Sequence, residues 1–76
     1  MDALAHPSTV LVKIIRDRRG LVLGRLVEDR STGRIVARDA RSLIAGTYDP
    51  RLGTTRDARG IVVAQGDILT ALLVRR

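Results

Sequence analysis

The chain contains no cysteine. Disulfides, thiolate metal sites and thiol nucleophiles are excluded, and the absence fits a reducing compartment. Tryptophan and phenylalanine are also missing, leaving Tyr48 as the one aromatic residue. Single-stranded nucleic acid is usually held by stacking bases on aromatic rings, and one tyrosine is no platform for that. His6 is the sole histidine. It has no neighbouring partner for metal binding or acid–base relay, and it reads as a solvated tail residue. No apolar run approaches the ~20 residues that span a bilayer, and the N-terminus lacks the basic-then-apolar pattern of a secretion signal. A cytoplasmic protein without membrane association is expected.

What is present is aliphatic and basic. Hydrophobic residues make up 45% of the 76 and charged residues 29%, a globular composition with room for one domain and a modest core of Ile, Val, Leu and Ala. Domains this small are marginally stable alone, so association with a second copy or another protein is in keeping. Fourteen basic residues stand against eight acidic ones, a formal charge of +6, and Lys13 is the only lysine. Arginine suits bidentate contact with phosphate or carboxylate, but GC-rich coding also favours it, and Ala and Gly are abundant here as well. The charge by itself implies attraction to polyanions and nothing more specific.

Along the chain, β-branched runs alternate with polar turns. Val10 to Arg16 has the composition of a strand, with Val10, Val12 and Ile14 on one face and Leu11, Lys13 and Ile15 on the other. Further strands are predicted over 21–28, 34–38, 43–48, 54–56 and 61–65, with Gly24 marking a bulge or a close backbone approach. Aspartates at 17, 29, 39, 49, 57 and 67 are spaced 12, 10, 10, 8 and 10 residues apart. The first five open turns, because Asp bonds its own following backbone and, in all but the Asp39 turn, a glycine nearby can take positive φ. Turn signals at this interval mark an antiparallel all-β chain. A sequence repeat underlies them: Arg-Asp-x-Arg-[Gly/Ser]-[Leu/Ile]-[Val/Ile] occurs at 16–22, 38–44 and 56–62.

The last aspartate has another task. Ile68, Leu69, Leu72 and Leu73 recur at helical spacing behind Asp67, a suitable N-cap, so residues 67–74 are expected to be helical. Two turns of helix are too short to stand alone and must pack on the sheet or on another chain. The expected fold is therefore a mainly β antiparallel meander of about six short strands, forming a twisted sheet or small barrel with a short C-terminal helix. Residues 1–9 read as a flexible lead-in and 10–76 as a single domain.

No chemistry-bearing set emerges. Calcium-binding β-rolls use glycine-rich nonapeptides, whereas each aspartate here has one glycine and an adjacent arginine. Glu28 and Asp29 are sequence neighbours and do not form a facing carboxylate pair. No phosphate-cradling glycine loop is present. No catalytic residue, metal site or cofactor is expected. Tyr48, beside Asp49 and Pro50, reads as strand-end packing.

Tyr48-Asp-Pro-Arg-x-x-x-Thr-x-Asp-x-x-Gly-x-x-Val-x-x-Gly-Asp-x-Leu-x-x-Leu-Leu73 resembles the last third of small uncharacterised bacterial proteins that end in a turn–strand–helix segment. The hairpin-length stretch Leu23-Gly-Arg-Leu-Val-Glu-Asp-Arg-Ser-Thr-Gly-Arg-Ile-Val-Ala37 resembles a PRC-barrel hairpin, a module tied to RNA-processing and photosynthetic assembly proteins. Neither resemblance carries a functional residue across.

One surface follows from topology. In a meander the turns alternate between two ends, so those beginning at Asp17, Asp39 and Asp57 share an end. That end collects Arg16, Arg18, Arg19, Arg38, Arg41, Arg56 and Arg59 against three aspartates. The other end holds Arg30, Arg34 and Arg51 against Glu28, Asp29 and Asp49, and is balanced. The arginine rim is the candidate anion-binding site. A noncatalytic binding or adaptor module, acting through self-association or a protein partner, is the leading expectation. The alternative is a nucleic-acid-binding accessory that sets the rim on phosphates.

Overall fold

The computed structural model describes residues 10–74. His6 and the expected lead-in lie outside them. The β-branched runs form six strands: β1 (Val10–Arg16), β2 (Val22–Asp29), β3 (Ile35–Asp39), β4 (Ile44–Asp49), β5 (Thr54–Asp57) and β6 (Val62–Gln65). Each pairs antiparallel with the next, in the order of the sequence. β1 and β6 do not meet, so the meander is an open sheet and not a barrel. Asp29, Asp39, Asp49 and Asp57, expected in turns, are the last residues of their strands. The N–H groups of Asp17, Asp39 and Asp57 donate to the Leu21, Leu43 and Ile61 carbonyls at 2.9, 2.8 and 2.9 Å, closing their turns.

The helix α1 spans Leu69–Val74, two residues shorter at its start than expected. The Leu72 N–H donates to the Ile68 carbonyl at 3.1 Å, and Asp67 Oδ1 accepts the Leu69 N–H at 3.0 Å. Asp67 therefore closes the first turn from just outside it. Six residues cannot hold a helix in water, so tertiary packing must. Leu69 and Leu73 are fully buried against Ala37 and Ala45, with Ile15, Leu23, Leu26, Ile35, Tyr48 and Leu72 half-buried around them.

The helix can lie this close because two strands offer bare backbone. A Cβ on Gly46 would stand 2.6 Å from Leu72 Cδ1 and 2.7 Å from the Arg56 carbonyl oxygen. One on Gly24 would overlap the Arg38 carbonyl oxygen and press on Leu73. The close approach expected at Gly24 is made first by the β3 backbone at Arg38 and then by Leu73 of the helix, and the expected bulge is present beside it. Register slips where Arg16 pairs with Val22, Arg38 with Ile44 and Arg56 with Val62, leaving Leu23, Ala45 and Val63 as extra residues. Two residues then oppose one, and the side-chain alternation shifts by one step. Leu23 and Gly24, and likewise Ala45 and Gly46, all serve the helix side.

A buried threonine fastens the helix to the sheet. Thr55 Oγ1 donates to the Gly66 carbonyl at 2.6 Å and accepts the Ile68 N–H at 3.2 Å. Its hydroxyl thus fixes the chain on both sides of Asp67, which decides where α1 begins.

Candidate anion-binding rim and the uncovered sheet face

The three copies of the repeat fold into three copies of one turn. Asp17 Oδ1 accepts the N–H groups of Arg19 and Leu21 at 2.8 and 3.0 Å. Asp39 Oδ1 accepts those of Arg41 and Leu43 at 2.9 and 3.0 Å. Asp57 Oδ1 accepts those of Arg59 and Ile61 at 2.9 and 3.1 Å. The fourth turn residue has positive φ in each: 87° at Gly20, 71° at Ser42 and 87° at Gly60. Serine is strained there, since L-residues with a Cβ disfavour the left-handed region. Hydrogen bonding holds the Asp57 carboxyl below the usual carboxylate range, chiefly through the Ile61 N–H.

The leading arginine of each repeat is tied to its own turn. Arg16, Arg38 and Arg56 donate through Nη1 to the carbonyls of Gly20, Ser42 and Gly60 at 2.9, 2.8 and 2.8 Å. These guanidiniums are therefore oriented before any ligand arrives. They stand on alternate strands, roughly 10 Å apart, twice the strand spacing. Arg18, Arg19, Arg41 and Arg59 project from the turn loops at the same end and are exposed. Arg59 Nη2 approaches Asp57 Oδ2 at 3.8 Å, a loose exposed contact worth little. All seven rim arginines thus share one end of the sheet. They divide into three pinned groups and four on the loops.

Arg25 belongs with them, although it lies outside the repeat. It pairs with Arg38 across β2 and β3 and donates to Ser42 Oγ at 3.1 Å. Strict alternation from Val22 would put Arg25 on the helix side; the bulge at Leu23 turns it to the opposite face. Two guanidiniums consequently converge on Ser42, one on its hydroxyl and one on its carbonyl.

Register also defines what surrounds these arginines. The helix lies over β2, β3 and β4 on one side of the sheet. The other side carries Val10, Val12 and Ile14 of β1, Val22 and Val27 of β2, Val36 of β3, Ile44 of β4 and Val62 of β6. Nothing among the described residues covers it. Val10, Val12 and Ile14 are 46%, 52% and 47% exposed, and Val22, Ile44 and Val62 are each 43% exposed. Arg16, Arg25 and Arg38 edge this apolar surface at the rim end, while Arg56 stands level with Val12, Val27 and Val36. Asp29 and Asp49 occupy the far end, whose turns also carry Arg30, Arg34 and Arg51. Composition alone could not locate such a face, because it depends on the three bulges.

Other features are modest. A shallow cavity of about 190 Å³ is lined by Val22, Leu23, Asp39, Ala40, Arg41 and Leu73, smaller than usual small-molecule sites. Among the described residues no three His, Cys, Asp or Glu side chains gather to hold a metal ion, and no helix is long and apolar enough to cross a membrane. Tyr48 packs half-buried against the core beneath α1. No protein-family model, curated protein or solved structure matches the chain.

Proposed function

We propose that this protein is a noncatalytic interaction module that binds another protein chain through the uncovered face of its sheet. The observation that carries the reading is the row of exposed β-branched residues opposite the helix, Val12, Ile14, Val22, Ile44 and Val62. Sheets that are apolar on both sides ordinarily bury both, and among the described residues only one side has a cover. A face of this kind, edged by charged side chains, is typical of protein contact surfaces.

Nucleic-acid binding is the second reading, favoured by the pinned row Arg16, Arg38 and Arg56. Light scattering on the wild type and on Ile44→Lys, paired with duplex DNA titrations at several salt concentrations, separates the two. Association lost on Ile44→Lys supports the protein-binding face. A strict monomer that binds duplex with steep salt dependence, lost on changing Arg16, Arg38 and Arg56 to Gln but kept in Ile44→Lys, replaces it with the nucleic-acid reading.

A further inference from the structure

The middle copy of the repeat departs from its two sisters in ways that its turn does not require. Its leading arginine, Arg38, has a second arginine, Arg25, directly opposite on β2. Arg16 lies opposite Val22, and Arg56 lies between Thr47 and Val62. The fourth turn residue is glycine in both sisters, whereas here it is Ser42, held at φ 71°. Cross-strand side chains on one face stand roughly 5 Å apart at Cβ, where like charges repel. Among the described residues, Arg25 and Arg38 bond to Ser42 and neither meets a carboxylate. Both are half-buried, unlike Arg16 and the four loop arginines. We propose that Arg25, Arg38 and Ser42 form a carboxylate-binding site. It receives an Asp or Glu side chain from an acidic, aliphatic segment of a partner protein docked on the uncovered face. The site rests on the protein-binding reading and adds the chemistry of the partner.

The donors are set before the ligand arrives. Arg25 Nη1 donates to Ser42 Oγ at 3.1 Å and Arg38 Nη1 to the Ser42 carbonyl at 2.8 Å, so one exposed residue orients both guanidiniums. Each guanidinium has further N–H groups to offer, and Ser42 Oγ, which accepts from Arg25, keeps its own hydrogen to donate. Two forks and a hydroxyl match the planar pair of oxygens on a carboxylate. Glycine at position 42 would spare the turn its left-handed strain but would leave out the hydroxyl.

The surroundings select the ligand. Ile14 stands beside Arg25 and Ile44 beside Arg38 in one cross-strand row, with Val27 and Val36 paired in the next. A nucleic-acid backbone brings charge but no aliphatic surface to cover these side chains. A peptide with a carboxylate among Leu, Ile or Val brings both, and its docking expels the water that weakens the ionic contact. A second copy brings the same +6 charge and the same arginines at both ends of its face. Self-association is therefore the weaker use of this surface, and an acidic chain the stronger.

The probe is a random-peptide library displayed on phage and panned against the 76-residue chain, with selected peptides then titrated by fluorescence anisotropy. The selected peptides should share one Asp or Glu among aliphatic residues. Arg25→Gln and Arg38→Gln should each weaken them about tenfold or more, and Ser42→Gly should weaken them less. Changing the peptide's own acid to its amide should cost little more in Arg38→Gln, the mark of a direct pair. Circular dichroism confirms folding, and Arg25→Gln carries the test alone if Arg38→Gln unfolds. Peptides lost on Ile44→Lys but indifferent to both Gln variants overturn the carboxylate site and leave the protein-binding face intact. Peptides indifferent to Ile44→Lys as well, or a library without a binder, overturn both. Duplex DNA and vesicles of phosphatidylserine with phosphatidylcholine are titrated alongside. If either binds the wild type and suffers more from the Gln variants than the peptides do, the site belongs to phosphate and the carboxylate assignment falls.

Discussion

Thr54 and Thr55 are neighbours on β5 whose hydroxyls have opposite fates. Thr55 Oγ1 both donates and accepts, holding Gly66 and Ile68, while the buried Thr54 Oγ1 has no hydrogen-bond partner among the described residues. The same substitution should therefore have opposite signs one residue apart. Thr55→Val removes two bonds and is expected to cost about 1–3 kcal/mol, with Thr55→Ser close to wild type. Thr54→Val removes a buried unsatisfied group and is expected to be neutral or stabilising by up to about 1 kcal/mol. Urea denaturation of the three variants checks all of this.

The seat of the helix gives a second expectation. Gly46→Ala must displace either Leu72 or the β5 backbone, and overpacking of this kind costs about 1–3 kcal/mol. Gly24→Ala should behave likewise. The helix should loosen first, visible as faster amide exchange at Leu72 and Leu73 than in β2 to β4. Uniform loss of protection across sheet and helix would contradict this order.

Gly60 isolates backbone conformation from packing. A Cβ there meets nothing within 4 Å, yet φ is +87°. Gly60→Ala should lose about 1 kcal/mol through conformation alone. Ser42 occupies the equivalent position with φ 71° and an Arg25 contact. Ser42→Gly relieves the strain but frees Arg25 and loosens the unfolded chain, so its net effect should stay within about 1 kcal/mol of zero. A loss well beyond that would mean that the Ser42 contact outweighs the strain.

Acid should weaken the fold through the turn carboxylates. Asp29 is held below the ordinary carboxylate value mainly by the Ser31 hydroxyl, and Asp57 mainly by the Ile61 N–H. A lowered folded-state pKa contributes stability that is complete above the unfolded value and is lost as pH falls through the folded one. Melting temperature should thus be level above roughly pH 4 and fall below it. Asp29→Asn and Asp57→Asn should each flatten that acid limb, and an unchanged limb in both would assign it to other groups.

Much of the architecture is legible in the order of residues. Asp-led turns at regular spacing determine a meander, and its parity alone puts Asp17, Asp39 and Asp57 at one end. The helix position also follows from Leu69, Leu72 and Leu73. The faces do not. Val22 and Gly24 are two apart and should share a side, yet the extra residue Leu23 sends them to opposite sides, as Ala45 does for Ile44 and Gly46. Every residue after a bulge changes sides, which is why Arg25 escaped the rim and why the apolar field opposite the helix could not be counted out. A bulge is a property of paired strands, and no single stretch of sequence announces it. A signal was nonetheless available in the repeat. It runs two residues beyond the shared heptad, to Gly24, Gly46 and Ala64, and the first two of these are where the helix rests.

Because every strand pairs only with its neighbour in sequence, sheet assembly requires closure of nothing longer than a short hairpin loop. The entropy of joining distant segments, which slows most β proteins, is then concentrated in a single event. That event is the docking of Leu69 and Leu73 onto Gly24, Ala37 and Gly46, strands laid down as many as 49 residues earlier in the chain. On a ribosome the hairpins can form one after another as they emerge, while the core waits for Leu69 and Leu73. Until those arrive, no helix among the described residues covers either side of the growing sheet.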